Sequence, residues 1–375
     1  MKHQGIKQRG LLRMTQVAIA SAAFVLLAAC GGGGSSNNSA SATPAGGVNL
    51  QVVSFGDSLS DVGTYSPVIA ANFGGGRFTT NPGEIWTQKV AEYYGGTLTP
   101  ANLGGFGQPL VATTGLGYAQ GGARIMVTPG VGSPQATAVS VNAQVTQYLQ
   151  QHGSFNGNQL VLIEGGANDV LIAAQTIAAD PSTAGAQEVA VGTAAAQLAG
   201  IVGELLQNGA TKVVLANMPD IGQTPQGVGS ADGGALLTGL STVFNQELES
   251  ALTSAGIMNK VIYLNTFKFI DNAVANFASN GFQVSNTQTA CALQAMINNA
   301  TAYAEQNPSV LLPGETASDF GTSFGSSLFC SPQTYTVAGA DQTYMFADTI
   351  HPTTHLHALF AQTAEQTIAA AGIGK

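Results

Sequence analysis

The sequence predicts an α/β fold, a parallel sheet covered on both faces by helices, and three observations carry that prediction. Four apolar runs of strand length, several rich in Val and Ile, lie at residues 50–55, 159–163, 212–216 and 260–264. Helical patterns that stop at or near glycines separate the later runs. Strand and helix therefore alternate, and with right-handed crossovers that order closes a sheet of parallel strands between two helical layers.

Taken in order, the first strand, residues 50–55, stops at Gly56-Asp57-Ser58, where glycine permits a sharp turn. A short strand near residues 101–103 brings the expected sheet to about five strands. Residues 104–120 are rich in Gly and read as a long loop. Val141, Val145, Tyr148 and Leu149 recur at i, i+4, i+7 and i+8 and mark a helix that ends at Gly153. Residues 159–163 form the next strand and deliver Glu164-Gly165-Gly166-Ala167-Asn168-Asp169 at its end, where Asn168 and Asp169 suit the cap of a helix from Val170. An Ala- and Leu-rich helix over 188–207 stops at Gly209, and one over 236–252 stops near Gly256. These helices alternate with strands 212–216 and 260–264. Residues 283–342 read as a loop-rich insertion with no internal repeat. The last helix, residues 354–371, carries Leu356, Leu359, Phe360 and Ile368, and Pro352 ahead of it suits a first helical position.

The 375 residues, 45% hydrophobic, suffice for one large core. Only 8% are charged and 48 are Gly, so the surface is built from Ser, Thr, Asn, Gln and Gly, as is common in exported proteins. Residues 1–29 explain why: Lys2, Lys7, Arg9 and Arg13 make a basic start, and residues 17–29 are apolar but too short to span a bilayer comfortably. The end of this signal peptide, Leu27-Ala28-Ala29-Cys30, is similar to the lipobox of bacterial lipoproteins, in which the Cys carries diacylglycerol. Cys30 is therefore expected as a lipid anchor holding the exported chain to a membrane. Gly31 after it favours the outer membrane, its periplasmic or surface face left open. Residues 30–47 have the composition of a flexible tether, and 48–375 form a single domain. The leader takes four of the 11 basic residues and none of the 20 acidic ones, leaving 7 against 20 and a formal charge of −13. Such a balance disfavours nucleic acid as a partner. Cys291 and Cys330, the other two cysteines, suggest one disulfide in an oxidising compartment.

Sites in sheets of this kind lie at the carboxyl ends of the strands, so Ser58 and Asn168 can converge. Acyl transfer needs a hydroxyl nucleophile, a base, a group that orients the base, and donors for the oxyanion. Once His3 leaves with the signal, His152, His351, His355 and His357 are the available histidines. His152 precedes Gly153 at a helix end, where the dipole favours a cation. His351 lies in Asp348-Thr349-Ile350-His351-Pro352, and the proline biases it towards extended backbone. Asp348 can then fold back to accept from Nδ1–H, leaving Nε2 to face a serine; a turn that merely caps the next helix is the plainer alternative. The local HPTTHLH lacks the Glu of HExxH and any nearby Cys or acidic cluster, so no metal site is expected. The Asn168 amide, the Ser58 N–H and a glycine N–H from Tyr118-Ala119-Gln120-Gly121-Gly122-Ala123 are the oxyanion donors. Ser323, in Gly321-Thr322-Ser323-Phe324-Gly325, fits G-x-S-x-G, but no apolar strand precedes it and it reads as loop. Gly-Asp-Ser alone is ordinary turn chemistry, and Asp57 reads as structural support.

In sequence order, FGDSLSDVG, the Gly121-Gly122-Ala123 loop, GGAND and DTIHPT resemble four blocks of the GDSL (SGNH) esterases and lipases, spread over residues 54–357. ANMPDIGQTP at 216–225, FNQEL at 244–248 and GRFTTNPGEIW at 76–86 are similar to connecting segments of bacterial members of the glycerophospholipid-cholesterol acyltransferase type. The resemblance implies a flavodoxin-like three-layer α/β/α sandwich with a shallow open site, and a carboxylic ester hydrolase that works through an acyl-enzyme without metal or cofactor. It implies Ser58 as nucleophile, His351 as general base and acid, Asp348 as its orienter, and Ser58 N–H, Gly122 N–H and Asn168 as the oxyanion hole. At Gly117 the chain departs from many members, which have Asn there, and that bears on the loop presenting Gly122. The expected partner is a lipid or small acyl ester, met by a monomer. Acyl transfer to an alcohol and polysaccharide O-deacetylation are alternative reactions at the same site. A binding lipoprotein on a decayed hydrolase fold would lack one of Ser58, Asn168, Asp348 or His351, and all four are present.

Overall fold

The computed structural model describes residues 43–105, 108–131 and 138–375. The expected signal peptide, Cys30 and most of the tether lie outside the described residues. The strands are β1 (Gln51–Phe55), β2 (Asn102–Gly105), β3 (Gln108–Ala112), β4 (Gln159–Ile163), β5 (Val213–Ala216), β6 (Ile262–Leu264), β7 (Val284–Thr289) and β8 (Tyr344–Phe346). The helices are α1 (Ser66–Phe73), α2 (Trp86–Tyr93), α3 (Val141–His152), α4 (Ala167–Ala179), α5 (Ala184–Gln207), α6 (Pro225–Val228), α7 (Ala235–Ser254), α8 (Thr266–Ala275), α9 (Leu293–Gln306), α10 (Ala317–Phe324), α11 (Ala340–Thr343) and α12 (Thr354–Ala370).

A central parallel sheet in the order β1-β4-β5-β6 forms the middle of three layers. The continuous apolar run of β4, QLVLI, is buried at every residue because a strand flanks it on each side and helices cover both its faces. Alternate side chains divide between the two faces. Val53, Phe55, Val161, Ile163, Val213 and Leu215 pack with α3, α4, α5 and α7. Val52, Leu160, Leu162, Val214 and Leu264 pack with Trp86 and Val90 of α2 and with Phe360, Ala364 and Ile368 of α12.

Among the described residues the sheet has four strands where about five were expected. The segment near residues 101–103 begins β2, which pairs with β3 in a separate antiparallel sheet, so the expected loop holds strand residues that Gly104 and Gly105 conceal in the sequence. Residues 116–118 instead lie along the outer edge of β1. The Ser54 N–H donates to Leu116 O (3.0 Å) and the Tyr118 N–H to Ser54 O (2.8 Å), which covers an otherwise open edge. Gly117 is required there, since a Cβ would meet Val62 Cγ2 at 2.4 Å.

Residues 283–342 differ most from the expected loops. β7 pairs with β8, and α9 and α10 pack on each other and against α1 around Phe73, Tyr303, Phe320 and Phe329. A capping box starts α10: Thr316 Oγ1 accepts from the Asp319 N–H (3.2 Å) while the Asp319 carboxylate accepts from the Thr316 N–H (2.9 Å). Ser323 is therefore an exposed residue of this helix and not part of a loop. Cys291 and Cys330 are bonded to each other and buried in this satellite core. Two helix starts also shift. Pro352, expected at the first helical position, lies outside α12, held in a bridge to Phe346, and Thr353 caps the helix. The left-handed Gly166 caps α4, so Asn168 and Asp169 fall inside its first turn. At the end of the expected tether, Gly46 is seated on the domain: its N–H donates to Tyr93 O (2.8 Å) and its carbonyl accepts from the Lys375 N–H (3.0 Å).

Candidate active site

The turn that follows β1 is held by groups far away in sequence. Gln144 of α3 grips both polar atoms of the Gly56 peptide unit, Oε1 accepting from its N–H (2.9 Å) and Nε2 donating to its carbonyl (2.8 Å). The Asp57 N–H donates to Glu164 Oε1 (2.9 Å) at the end of β4, and a Cβ on Gly56 would lie 2.0 Å from that oxygen. Asp57 then accepts from the Leu59 N–H (3.1 Å), closing a tight turn with Ser58 at its tip.

His351 reaches that tip from the loop after β8. Its Nε2 lies 2.8 Å from Ser58 Oγ and its Nδ1 2.8 Å from Asp348 Oδ2. Asp348 is buried and accepts three backbone N–H groups, from Ser327 (2.6 Å), Ile350 (2.8 Å) and His351 (2.7 Å). Burial works against its charge, but the His351 ring and these donors outweigh it and hold the carboxyl well below the usual range. The loop itself is fixed from outside. Thr79 Oγ1 donates to Pro352 O (3.0 Å), the Thr354 N–H donates to Thr80 Oγ1 (2.9 Å), and the Phe78 ring lies 5.1 Å from the imidazole. The GRFTTNPGEIW segment is thus the seat of the histidine loop.

Two acidic residues tie down the Gly121-Gly122 loop. Asp61 accepts from the N–H groups of Gly63 (2.9 Å), Thr64 (2.7 Å) and Gly121 (2.8 Å). Asp169 accepts from Arg124 Nε (2.8 Å) and the Ile125 N–H (3.0 Å), while Asn168 Nδ2 donates to Ala123 O (2.8 Å). Asn168 spends one amide hydrogen on the loop, and the other has no acceptor among the described residues. Neither the Ser58 nor the Gly122 N–H has an acceptor among the described residues, as donors awaiting an oxyanion require.

An open cleft of about 750 Å³ adjoins Ser58 and His351, walled by Leu171, Met218, Pro219 and Ile350 and touched by Asn168. Asn245 clamps the Met218 backbone on both sides (2.8 Å each), which explains why FNQEL accompanies ANMPD. The structure brings Ser58, His351, Asp348 and Asn168 together. His152 instead lies 3.1 Å from the Tyr118 hydroxyl, His355 faces Gln342 O (2.6 Å), and His357 is buried where the Trp86 N–H donates to its Nδ1 (3.4 Å). Sequence reasoning passed over Gln144, Glu164 and Asp61. Glu164 is buried against Asp57, and burial followed by that neighbour's charge holds it well above the usual carboxylate range.

The family described as GDSL-like Lipase/Acylhydrolase matches residues 52–364. A phosphatidylcholine-sterol acyltransferase of Aeromonas hydrophila is 26% identical over 329 residues, 84% of this chain and 88% of that protein. An uncharacterized protein from the trpE-trpG intergenic region of Pseudomonas putida is 30% identical over 241 residues, 60% of this chain and 37% of the other.

Proposed function

The chain belongs to the GDSL-like lipase/acylhydrolase family of enzymes that act on ester bonds, and from that premise we propose that it cleaves carboxylic esters through an acyl-enzyme on Ser58. The observation that carries this reading is the unbroken chain from Ser58 Oγ through His351 to Asp348, 2.8 Å at each step. As Ser58 Oγ attacks the ester carbonyl, His351 Nε2 takes its proton, and the imidazolium is stabilised by the ionised Asp348. The carbonyl oxygen, now negative, accepts from the Ser58 and Gly122 N–H groups and from the Asn168 amide. His351 then gives its proton to the departing alkoxide, and a water deprotonated by the same nitrogen releases the acid. Ser58→Ala in purified protein should lower p-nitrophenyl ester turnover by about 10⁴-fold or more. Undiminished turnover in that variant would sink the reading.

A second reading has the acyl group pass to an alcohol in place of water. It is favoured by the name borne by the Aeromonas hydrophila relative. Product analysis with an added long-chain alcohol or sterol separates the two, since only transfer yields a new ester. Polysaccharide O-deacetylation would instead release acetate from an acetylated glycan. The exported chain is proposed to be anchored through a lipid on Cys30, on the strength of LAAC and the basic, apolar leader. Radiolabelled palmitate should enter the wild-type protein in a Gram-negative host and not Cys30→Ala; an unlabelled wild type removes the anchor.

A further inference from the structure

The cleft beside Ser58 does not end at the reacting groups. A second, partly open pocket adjoins it, and Leu59, Pro219, Thr224 and Ile350 form a wall common to both. Beyond that wall the lining is carbon, chiefly Phe269, Ile270, Leu356 and Phe360. The one carboxylate there, Asp220, is already engaged, its Oδ1 accepting from the Gly222 N–H (2.9 Å) and from Thr238 Oγ1 (2.6 Å). Thr224 Oγ1 likewise donates to Ile221 O (2.7 Å). A sugar or a charged head group would lose its hydration in this space and find no partners, whereas hydrocarbon would lose nothing.

Resting on the ester-hydrolase reading, we propose that this enzyme selects long acyl chains. The carbons next to the ester lie in the cleft by Ser58, and the rest of the chain passes Ile350 into the second cavity. Ile270 and Phe269 of α8 form its floor and set the longest chain accepted. Ile350 suits the threshold: its N–H is pinned to Asp348 Oδ1 (2.8 Å), so its half-buried side chain can turn aside while the His351 loop stays in place.

The test is a series of p-nitrophenyl esters from acetyl to palmitoyl, assayed on the full chain and on two variants that avoid the reacting groups. In the wild type kcat/KM should rise roughly three- to fourfold per methylene through the middle lengths, the gain expected from burying each one. Ile270→Trp, which fills the floor, should leave acetyl and butyryl turnover within twofold and cut dodecanoyl turnover at least tenfold. Phe269→Ala, which opens it, should move the optimum to a longer chain, and it decides the matter alone if thermal unfolding shows that Ile270→Trp has not folded. A profile unchanged in shape in the folded variants overturns the proposal while leaving ester hydrolysis standing. Full turnover by Ser58→Ala overturns the underlying reading instead.

Discussion

At the scale of single residues, Asp348 does two tasks that can be separated. It orients His351, and it also satisfies three backbone N–H groups that would otherwise be buried without acceptors. Asp348→Asn keeps the shape but turns a donor towards one of those N–H groups or towards Nδ1. It should lower kcat by about 10²–10⁴-fold and also lower Tm, whereas a purely catalytic role would spare Tm. On the proposed mechanism Asn168→Ala is expected to cost about 10²–10³ in kcat, and it also removes the bond that its amide makes to Ala123 O; steady-state kinetics on a short ester checks this. Ser58, His351 and Asn168 were legible because each stands beside a local signal: a glycine turn, a following proline, a Gly-Gly after an apolar run. Asp61 and Glu164 carried no such signal. The partners that tie them to the site are backbone N–H groups 60 and 107 residues away, of Gly121 and Asp57, and such long-range pairings leave no mark in the local sequence.

At the scale of elements, the sheet and its helices were readable because period and glycine stops are local properties. Four expected helix ends fall within a few residues of α3, α5, α7 and α12. The region of α9 and α10 was not, since its Gly and Ser content resembles loop composition while its helices are held by contacts with α1 and by the Cys291–Cys330 bond. The Thr316/Asp319 capping box was the overlooked local cue. This region reaches the site, because Ser327, three residues before Cys330, donates to Asp348. Replacing both cysteines by Ala frees a segment of sequence separation 39, worth about 4 kcal/mol by chain entropy. Calorimetry should show Tm falling by about 5 °C, and kcat should fall with it as Asp348 loses a firm donor. An unchanged kcat would mean that Ser327 is held without the bond.

For the whole molecule, stability should depend on pH through groups that do not react. Burial, then the nearby His351 and Lys89 charges, pulls His357 down to about 3. Its lone pair accepts from the Trp86 N–H inside the core, so the folded chain refuses a proton that the unfolded chain takes up below about 6.5. The stability due to neutral His357 is therefore complete above about 6.5 and is lost progressively as pH falls towards 3. Asp348 adds a loss only at lower pH, below the ordinary carboxylate range. Glu164 acts in the other sense: its raised value favours the folded state at low pH, and that advantage fades as pH rises. Asp271, raised to about 6, and Glu365, raised to about 7, both chiefly by burial, act in the same sense as Glu164, so the His357 contribution is read as a difference: the Tm of His357→Gln should gain on that of the wild type as pH falls from 7 to 4. The contact between His351 and Ser58 has a further consequence, since it joins residues 293 apart in the chain. On the proposed mechanism ester turnover cannot precede the docking of the His351 loop on the turn after β1, so recovery of turnover during refolding should lag the recovery of helix content.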